Sequence, residues 1–204
     1  MFQWLRMRVL LCLYLMKGVD FSPQKTQIHD EDRPLYIPTV MGRVKRVLVE
    51  LQSENILDSF DDLIFLDCGC GKGSVLLDVS CLGFKKIVGI EIDPDLYCVC
   101  VGNIQRLGLD SRVELIQGDY FDDPKQFDRV NVVYAYGQFN YNQLGDFCEV
   151  LNQSLMQCPR PFFLVYTHLS HRQVLESNGF ECVYEKYSAK FGDYCTSVWM
   201  SDIR

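Results

Sequence analysis

The sequence predicts an α/β fold, a three-layer sandwich in which helices cover both faces of a mostly parallel sheet that ends in a C-terminal antiparallel strand pair. Apolar runs of strand length alternate with segments whose apolar residues recur at helical spacing. The run at 130–136 is almost wholly apolar, as in a parallel strand covered on both faces. A glycine-rich turn joins the run at 63–67 to the next helical pattern, which is typical of this architecture.

Each element rests on its periodicity and on the residues at its ends. Residues 42–53 carry valines and leucines at helical spacing, and the helix at 94–107 starts with a proline, which suits a first turn. The predicted helices are, in chain order, 3–17, 42–53, 73–81, 94–107, 141–155 and 171–177. The predicted strands are 63–67, 86–92, 113–117, 130–136, 162–167, 182–187 and 196–200.

The 204 residues suit one domain with a single core. We predict that residues 1–40 form an N-terminal helix and a mobile lid segment, and that residues 41–204 form the core. The apolar run at 9–16 is too short to cross a bilayer, and no small-residue cleavage site follows it. We therefore expect a cytoplasmic protein without a membrane span, whose first helix packs on the domain or covers the cofactor pocket.

The net charge and the cysteine content argue against nucleic acid and metal ions as ligands. The net charge of −7 argues against a dominant surface for polyanions, so a nucleic-acid partner is not expected. The ten cysteines contain no C-x-x-C pair, and only three histidines accompany them, so no metal site is predicted. We expect free, mostly buried thiols in a reducing compartment.

The glycine-rich turn and an acidic residue after the next strand predict a nucleoside-containing cofactor. Glycines at 69, 71 and 73 allow the backbone to approach a ligand, and Glu91, one strand–helix–strand unit after Asp67, can accept hydrogen bonds from ribose hydroxyls. A carboxylate at Asp67 would repel a pyrophosphate but suits a cation. The pattern therefore favours S-adenosylmethionine, with its sulfonium, over a nicotinamide or flavin dinucleotide.

Three segments carry a family resemblance. Residues 66–73, 88–93 and 117–120 resemble the first three motifs of class I S-adenosylmethionine-dependent methyltransferases, which implies a Rossmann-like sheet. The resemblance implies that Gly69, Gly71 and Gly73 approach the cofactor with Asp67, that Glu91 holds the ribose, and that Asp119 contacts the adenine amino group beside Tyr120.

An upstream segment narrows the resemblance. Residues 18–20 and 36–39 look like a subgroup of small methyltransferases in which a Tyr-x-Pro-Thr segment precedes the core. This implies that Tyr36 and Thr39 lie over the methionine end of the cofactor. Thr39 could instead cap the helix that follows.

The fourth motif departs from the family pattern. Related amino-group methyltransferases often carry Asn-Pro-Pro-Tyr after this strand, whereas this chain has Gly137, Gln138, Phe139 and Asn140. Phe139 takes the place of the motif aromatic, and the amide of Gln138 or Asn140 could hold an amino nucleophile. The alternative is that Gly137 makes the turn and its neighbours merely line the pocket.

The sequence therefore predicts a methyltransferase for a small-molecule or protein acceptor, with an amino group as the candidate nucleophile. The alternative is a catalytically weak or inactive S-adenosylmethionine-binding protein that regulates or scaffolds a partner. Three further residues receive other roles: Asp93 is expected to cap the helix after Glu91, and Lys72 to point to solvent. His168, after the strand at 162–167, could face the acceptor pocket but is expected to be structural.

Overall fold

The computed structural model describes residues 17–25, 35–188 and 194–201. The helix predicted at 3–17, apart from its last residue, and most of the loop predicted at 20–35 lie outside the described residues. Lys17 and Gly18 lie in a turn. Within the segment predicted as a loop, two short strands pair antiparallel, β1 (Gln24–Lys25) and β2 (Leu35–Tyr36).

The core is a mixed sheet of seven strands in the order β5-β4-β3-β6-β7-β9-β8. All neighbours from β5 to β7 are parallel, and β9 runs antiparallel to both β7 and β8. The strands are β3 (Ile64–Cys68), β4 (Lys86–Glu91), β5 (Val113–Gln117), β6 (Val132–Tyr136), β7 (Phe163–Thr167), β8 (Phe180–Ser188) and β9 (Tyr194–Ser201). The predicted fold class is confirmed.

Helices cover the two faces of the sheet in separate layers. Buried residues of α1, α2 and α3 belong to one apolar cluster, and those of α4, α5 and a 3₁₀ helix belong to a second. The helices are α1 (Arg43–Ser53), α2 (Ser74–Val79), α3 (Pro94–Arg106), α4 (Tyr141–Gln157) and α5 (Arg172–Ser177), and the 3₁₀ helix is Pro124–Arg129. The 3₁₀ helix was not predicted, because one short turn leaves little periodic signal.

The starts of two helices show how side chains set their bounds. Asp93 caps α3 by accepting hydrogen bonds from the backbone of Asp95 and Leu96, as predicted. Gly42 precedes α1 with a φ of 80° and no side chain to cap it. Asp78 of α2 supplies the cap instead, accepting hydrogen bonds from the backbone of Gly42 and Lys45 and so tying α1 to α2.

The described cysteines are free, as expected, but fewer are buried than expected. Of the nine that the structure describes, Cys68, Cys70, Cys100 and Cys148 are buried. Three others, Cys81, Cys98 and Cys158, are exposed. The last two lie on or just after amphipathic helices whose apolar faces are already formed by other residues.

Gly89 in β4 gives a test of core packing. A Cβ there would lie 2.7 Å from Leu76 Cδ1 and 2.9 Å from Cys70 Sγ. Gly89→Ala is therefore expected to lower the free energy of unfolding by about 1–3 kcal/mol through overpacking. The matched control is Gly145→Ala in α4, where nothing lies within 4 Å of the added carbon. It should raise the free energy of unfolding by roughly 0.5–1 kcal/mol. Urea denaturation of both variants measures these changes in the free energy of unfolding, and equal stabilities would contradict the packing argument.

Candidate active site

The candidate site lies beyond the carboxyl ends of β3, β4 and β6, where parallel strands deliver their last residues to one edge. Asp67 in β3 pairs with Gly89 in β4 and with Tyr134 in β6, so the three strands are in register at this level. Such an edge is where open α/β sheets bind ligands. Glu91 ends β4 and Tyr136 ends β6, and both therefore face the same region.

The glycine loop after β3 depends on left-handed backbone conformations. Gly69, Gly71 and Gly73 have φ angles of 74°, 54° and 84°. The backbone N–H groups of Gly69 and Cys70 both donate to the Ile90 carbonyl, which holds the loop against the end of β4. A side chain at any of the three glycines would be strained, so their presence in the sequence has a direct backbone cause.

Glu91 anchors this loop in addition to facing the expected ribose position. Its Oε2 accepts a hydrogen bond from Gly71 N at 2.6 Å, and its Oε1 accepts one from Asp93 N at 2.8 Å. The side chain is only 5% exposed, and burial raises its pKa. A carboxylate has about four lone-pair positions, so acceptor capacity remains for a ligand hydroxyl. The anchoring role was not predicted.

Asp67 lies buried beside Glu91 and is 2% exposed. Burial, with a smaller contribution from the charge of Glu91, raises the pKa of Asp67 well above its usual range. A cationic ligand would favour the ionised form of both desolvated carboxyl groups, whereas an anionic group would oppose it. The residues therefore fit a sulfonium cofactor better than a pyrophosphate.

Asp119 and Tyr120 follow β5, the strand next to β4. Asp119 Oδ1 accepts a hydrogen bond from Phe121 N at 2.9 Å, which closes a local turn. The Tyr120 ring packs on Phe121 and, edge-on, on Phe139, with centroids 4.8 and 5.6 Å away. The structure thus gives both residues local contacts at the expected edge, and their contact with adenine stays a prediction.

Tyr36 packs over the glycine loop. A Cβ on Gly71 would lie 2.1 Å from Tyr36 Cε2, so the ring occupies the space that the glycine leaves open. Burial raises the pKa of Tyr36 above its usual range. No hydrogen bond of normal geometry reaches its buried hydroxyl from the described residues, although Ser74 and the Lys72 backbone lie near it.

Thr39 is buried and contacts the sheet. Its hydroxyl shares a hydrogen bond of 3.0 Å with the hydroxyl of Tyr134 in β6. The alternative that Thr39 caps α1 is wrong, because Gly42 precedes that helix and Asp78 supplies the cap. Its contact with the cofactor carboxylate stays a prediction.

The three residues of the altered fourth motif have different surroundings. Gln138 Oε1 accepts a hydrogen bond from Tyr136 N at 3.4 Å and would be 3.4 Å from a Cβ on Gly69, so its amide lies over the glycine loop. Its buried Nε2 has no hydrogen-bond partner among the described residues. Gln138 thus presents a free amide donor, and its oxygen keeps a second lone pair.

Phe139 and Asn140 both have structural roles. The Phe139 ring is 5% exposed and stacks on Phe147 of α4 with centroids 4.6 Å apart. Asn140 caps α4 in a capping box with Gln143, its Oδ1 accepting from Gln143 N at 3.0 Å. Of the three predicted catalytic residues, only Gln138 has a buried polar atom without a hydrogen-bond partner among the described residues.

His168 lies near the altered fourth motif, and Lys72 differs from what the sequence indicated. His168 follows β7 with a φ of 64°, a conformation that costs energy in any residue but glycine. Its Cδ2 would be 3.3 Å from a Cβ on Gly137, and its ring centroid is 6.3 Å from that of Tyr136. It therefore lies beside Gly137, which precedes Gln138 in the chain. The expectation that Lys72 points to solvent is wrong, because the side chain is 1% exposed and pairs with Asp20.

A profile of the methyltransferase domain family matches residues 59–193. The chain belongs to this family. The predicted resemblance to class I S-adenosylmethionine-dependent methyltransferases is thereby confirmed, together with the Rossmann-like fold and the predicted cofactor.

Three similar proteins show the range of acceptors. A protein-lysine N-methyltransferase of Saccharolobus islandicus is 31% identical over 88 residues, 43% of this chain and 51% of that protein. A ribosomal protein L11 methyltransferase of Colwellia psychrerythraea is 39% identical over 61 residues, 29% of this chain and 21% of that protein. An RNA methyltransferase of Salinibacter ruber, solved with S-adenosyl-L-homocysteine, superposes with a TM-score of 0.55 at 22% identity, over 80% of this chain and 93% of its own.

These likenesses do not identify the methyl acceptor of this chain. The match spans about half of the lysine methyltransferase and about a fifth of the L11 methyltransferase. The structural match, at this identity, shows a shared fold alone. The expectation that nucleic acid is not a partner is not supported, because an RNA methyltransferase is among the neighbours. In the described part of the chain, no helix is long and apolar enough to cross a membrane.

Glu91 is expected to control cofactor affinity. Glu91→Gln replaces one acceptor oxygen by a donor, and should weaken S-adenosylhomocysteine binding by about 1.5–3 kcal/mol, the scale of a hydrogen bond to a charged group. Calorimetry measures this. Glu114→Gln is the control, since Glu114 is an exposed acid in the middle of β5. Wild-type affinity in Glu91→Gln, or binding of NAD in place of adenosylhomocysteine, would contradict the site.

Asp67 is expected to lower stability at neutral pH. Because its pKa is raised on folding, its stabilising contribution is present only below the unfolded pKa of about 3.9 and is lost as the pH rises toward the folded pKa. Asp67→Asn should therefore raise the free energy of unfolding by at least about 1 kcal/mol near pH 8, with a smaller gain near pH 5, and should weaken S-adenosylmethionine binding. Denaturation of the wild type and the variant at both pH values measures whether the free energy of unfolding rises. A variant less stable than wild type near pH 8 would contradict it.

Proposed function

We propose that this protein transfers a methyl group from S-adenosylmethionine to an amino group of a protein acceptor. The observation that carries the proposal is the free amide of Gln138, which lies over Gly69 at the end of β6. The lysine-specific relative supports a protein amine as acceptor, over 43% of this chain.

The chemistry requires alignment more than acid–base catalysis. When bound, S-adenosylmethionine supplies a methyl group already activated by the sulfonium. The protein must place a neutral amine lone pair in line with that methyl and exclude water, and such positioning accounts for most of the acceleration in reactions of this kind. Residues that orient an N–H of the amine, without bonding to its lone pair, are therefore sufficient.

Three side chains around the end of β6 suit this task. Gln138 Oε1 is held by the backbone of Tyr136 and keeps a lone pair that can accept an amine N–H. Tyr136 and His168 have their rings 6.3 Å apart at an angle of 31°, so they form one wall beside the amide. An aromatic face attracts an alkylammonium group as it enters, and this group gives its proton to solvent before the neutral amine attacks the methyl group. The strained backbone of His168 is consistent with a site residue whose conformation the surrounding structure enforces.

The carboxylates are placed to bind the donor. Asp67 and Glu91 are buried at the ends of β3 and β4, on the glycine-loop side of Gln138. Once ionised in the complex, these groups would favour the cationic donor over its neutral-sulfur product. In this arrangement the donor binds at the loop and the acceptor enters from the His168 side.

Gln138→Ala is expected to lower kcat by about tenfold or more while cofactor affinity changes little, because the amide would contact the acceptor in the transition state and not the adenosine. The control is Asn140→Ser, which keeps the helix cap and should retain wild-type kcat. Turnover is measured as transfer of labelled methyl groups to nuclease-treated cell-extract proteins and to poly-L-lysine, with purified tRNA as a parallel acceptor.

The results separate the alternatives. Label in protein that is recovered as methylated lysine after acid hydrolysis supports the proposal. Label confined to tRNA would show a nucleic-acid acceptor and overturn the protein assignment. Cofactor binding without label in any acceptor would favour the second function, a catalytically inactive S-adenosylmethionine-binding protein, which the altered fourth motif motivates. Wild-type turnover in Gln138→Ala would show that the loop only lines the pocket.

A further inference from the structure

Lys72 is a buried cation in the middle of the glycine loop. Its side chain is 1% exposed, and its Nζ lies 2.6 Å from Asp20 Oδ2, 3.4 Å from Ser22 Oγ and 5.9 Å from the centroid of the Tyr36 ring. Burying an ammonium group costs several kcal/mol unless it is paired. Asp20 is therefore the group that makes this position of Lys72 stable.

Asp20 belongs to an N-terminal strap, residues 17–25, and its carboxylate is shaped for this contact. Oδ1 accepts hydrogen bonds from Ser22 N at 2.8 Å and Ser22 Oγ at 2.6 Å, which leaves Oδ2 for Lys72. Partial burial opposes ionisation of Asp20, but the hydrogen bonds from Lys72 and Ser22 outweigh it and lower its pKa. The strap thus presents a fixed anion to the loop.

A second contact joins the same two segments through α3. The Asn103 side chain is 1% exposed, and its Nδ2 donates to the carbonyls of Asp20 at 2.7 Å and Lys72 at 2.9 Å. Its Oδ1 accepts from Asp20 N at 2.9 Å. One buried amide therefore aligns the backbone of the strap with the backbone of the loop, and the ion pair forms between segments that are already in register.

Holding Lys72 in place restricts the backbone of two of the three glycines in the loop. Gly71 and Gly73 lie on either side of it, with φ angles of 54° and 84°. Glycine loses more conformational entropy on ordering than any other residue. Because Lys72 is held at its carbonyl and at its ammonium, neither glycine can rotate without breaking one of these contacts. The loop is then ordered before a ligand arrives, and binding does not have to order it.

We propose that the Asp20–Lys72 ion pair is a latch that fixes the N-terminal strap across the glycine loop and thereby sets the affinity of the loop for S-adenosylmethionine. Lys72 and Asp20 are positioning residues in this proposal, since they act through the loop backbone. The affinity part rests on the proposed function. The structural part, that the strap is held to the loop by this pair, does not.

Three variants test the latch: Asp20→Asn, Lys72→Met and the double variant. Each should bind S-adenosylhomocysteine about tenfold more weakly than wild type by calorimetry, which corresponds to about 1.4 kcal/mol. Amide hydrogen exchange of 17–25 and 69–74 in the unliganded protein should be faster in each variant than in the wild type.

Asp20→Asn should also lower Tm, because it leaves the Lys72 charge buried and unpaired. The double variant should recover Tm but neither the affinity nor the protection, which a purely structural pair would not show.

The matched control is the exposed ion pair between Lys86 and Glu114, with side chains 48% and 46% exposed, at the start of β4. Lys86→Met should leave affinity, Tm and exchange unchanged, as exposed pairs contribute little. Should Lys72→Met fail to fold, Asp20→Asn decides alone, since Asp20 is 46% exposed. Wild-type affinity and wild-type protection in Asp20→Asn would overturn the latch. Faster exchange in a protein that binds no adenosylhomocysteine would keep the strap contact and reject the proposed function.

Discussion

The hydrogen bond from Gly71 N to Glu91 Oε2, at 2.6 Å, is the contact on which the site depends most. It joins the loop after β3 to the end of β4, and it requires that both strands be parallel and in register. The loop can approach Glu91 only because Gly69, Gly71 and Gly73 adopt left-handed backbone conformations. The same carboxylate also receives Asp93 N, so it links the glycine loop to the start of α3.

The end of the central strands carries two buried ionisable groups that do not favour folding. Asp67 and Glu91 are desolvated neighbours, and burial raises the pKa of each. A fold selected only for stability would place apolar residues at the end of β3. Their presence fits a site in which a cationic ligand offsets the cost of ionising them, and the cost in stability belongs to that function.

The polypeptide before the core contributes to the site from two directions. Tyr36 lies on Gly71, and Asp20 pairs with Lys72 in the same loop. Thr39 joins this region to the sheet through Tyr134. The glycine loop is thus enclosed between the sheet edge on one side and the N-terminal segments on the other, which limits the access of water.

Local sequence was enough to predict the strand–helix alternation, the glycine loop, the position of Glu91 at the end of β4 and the Asp93 cap. Each of these depends on short-range periodicity or on the backbone preference of one residue type. It also led to the correct family through short motifs. Tertiary packing was needed to establish the role of Lys72, because a lysine beside two glycines has no local signal for burial and its partner lies 52 positions earlier. Packing also gives different roles to Gln138 and Asn140, two amides that the sequence alone could not distinguish. Only the position of α4 shows that Asn140 is used as a helix cap while Gln138 stays free.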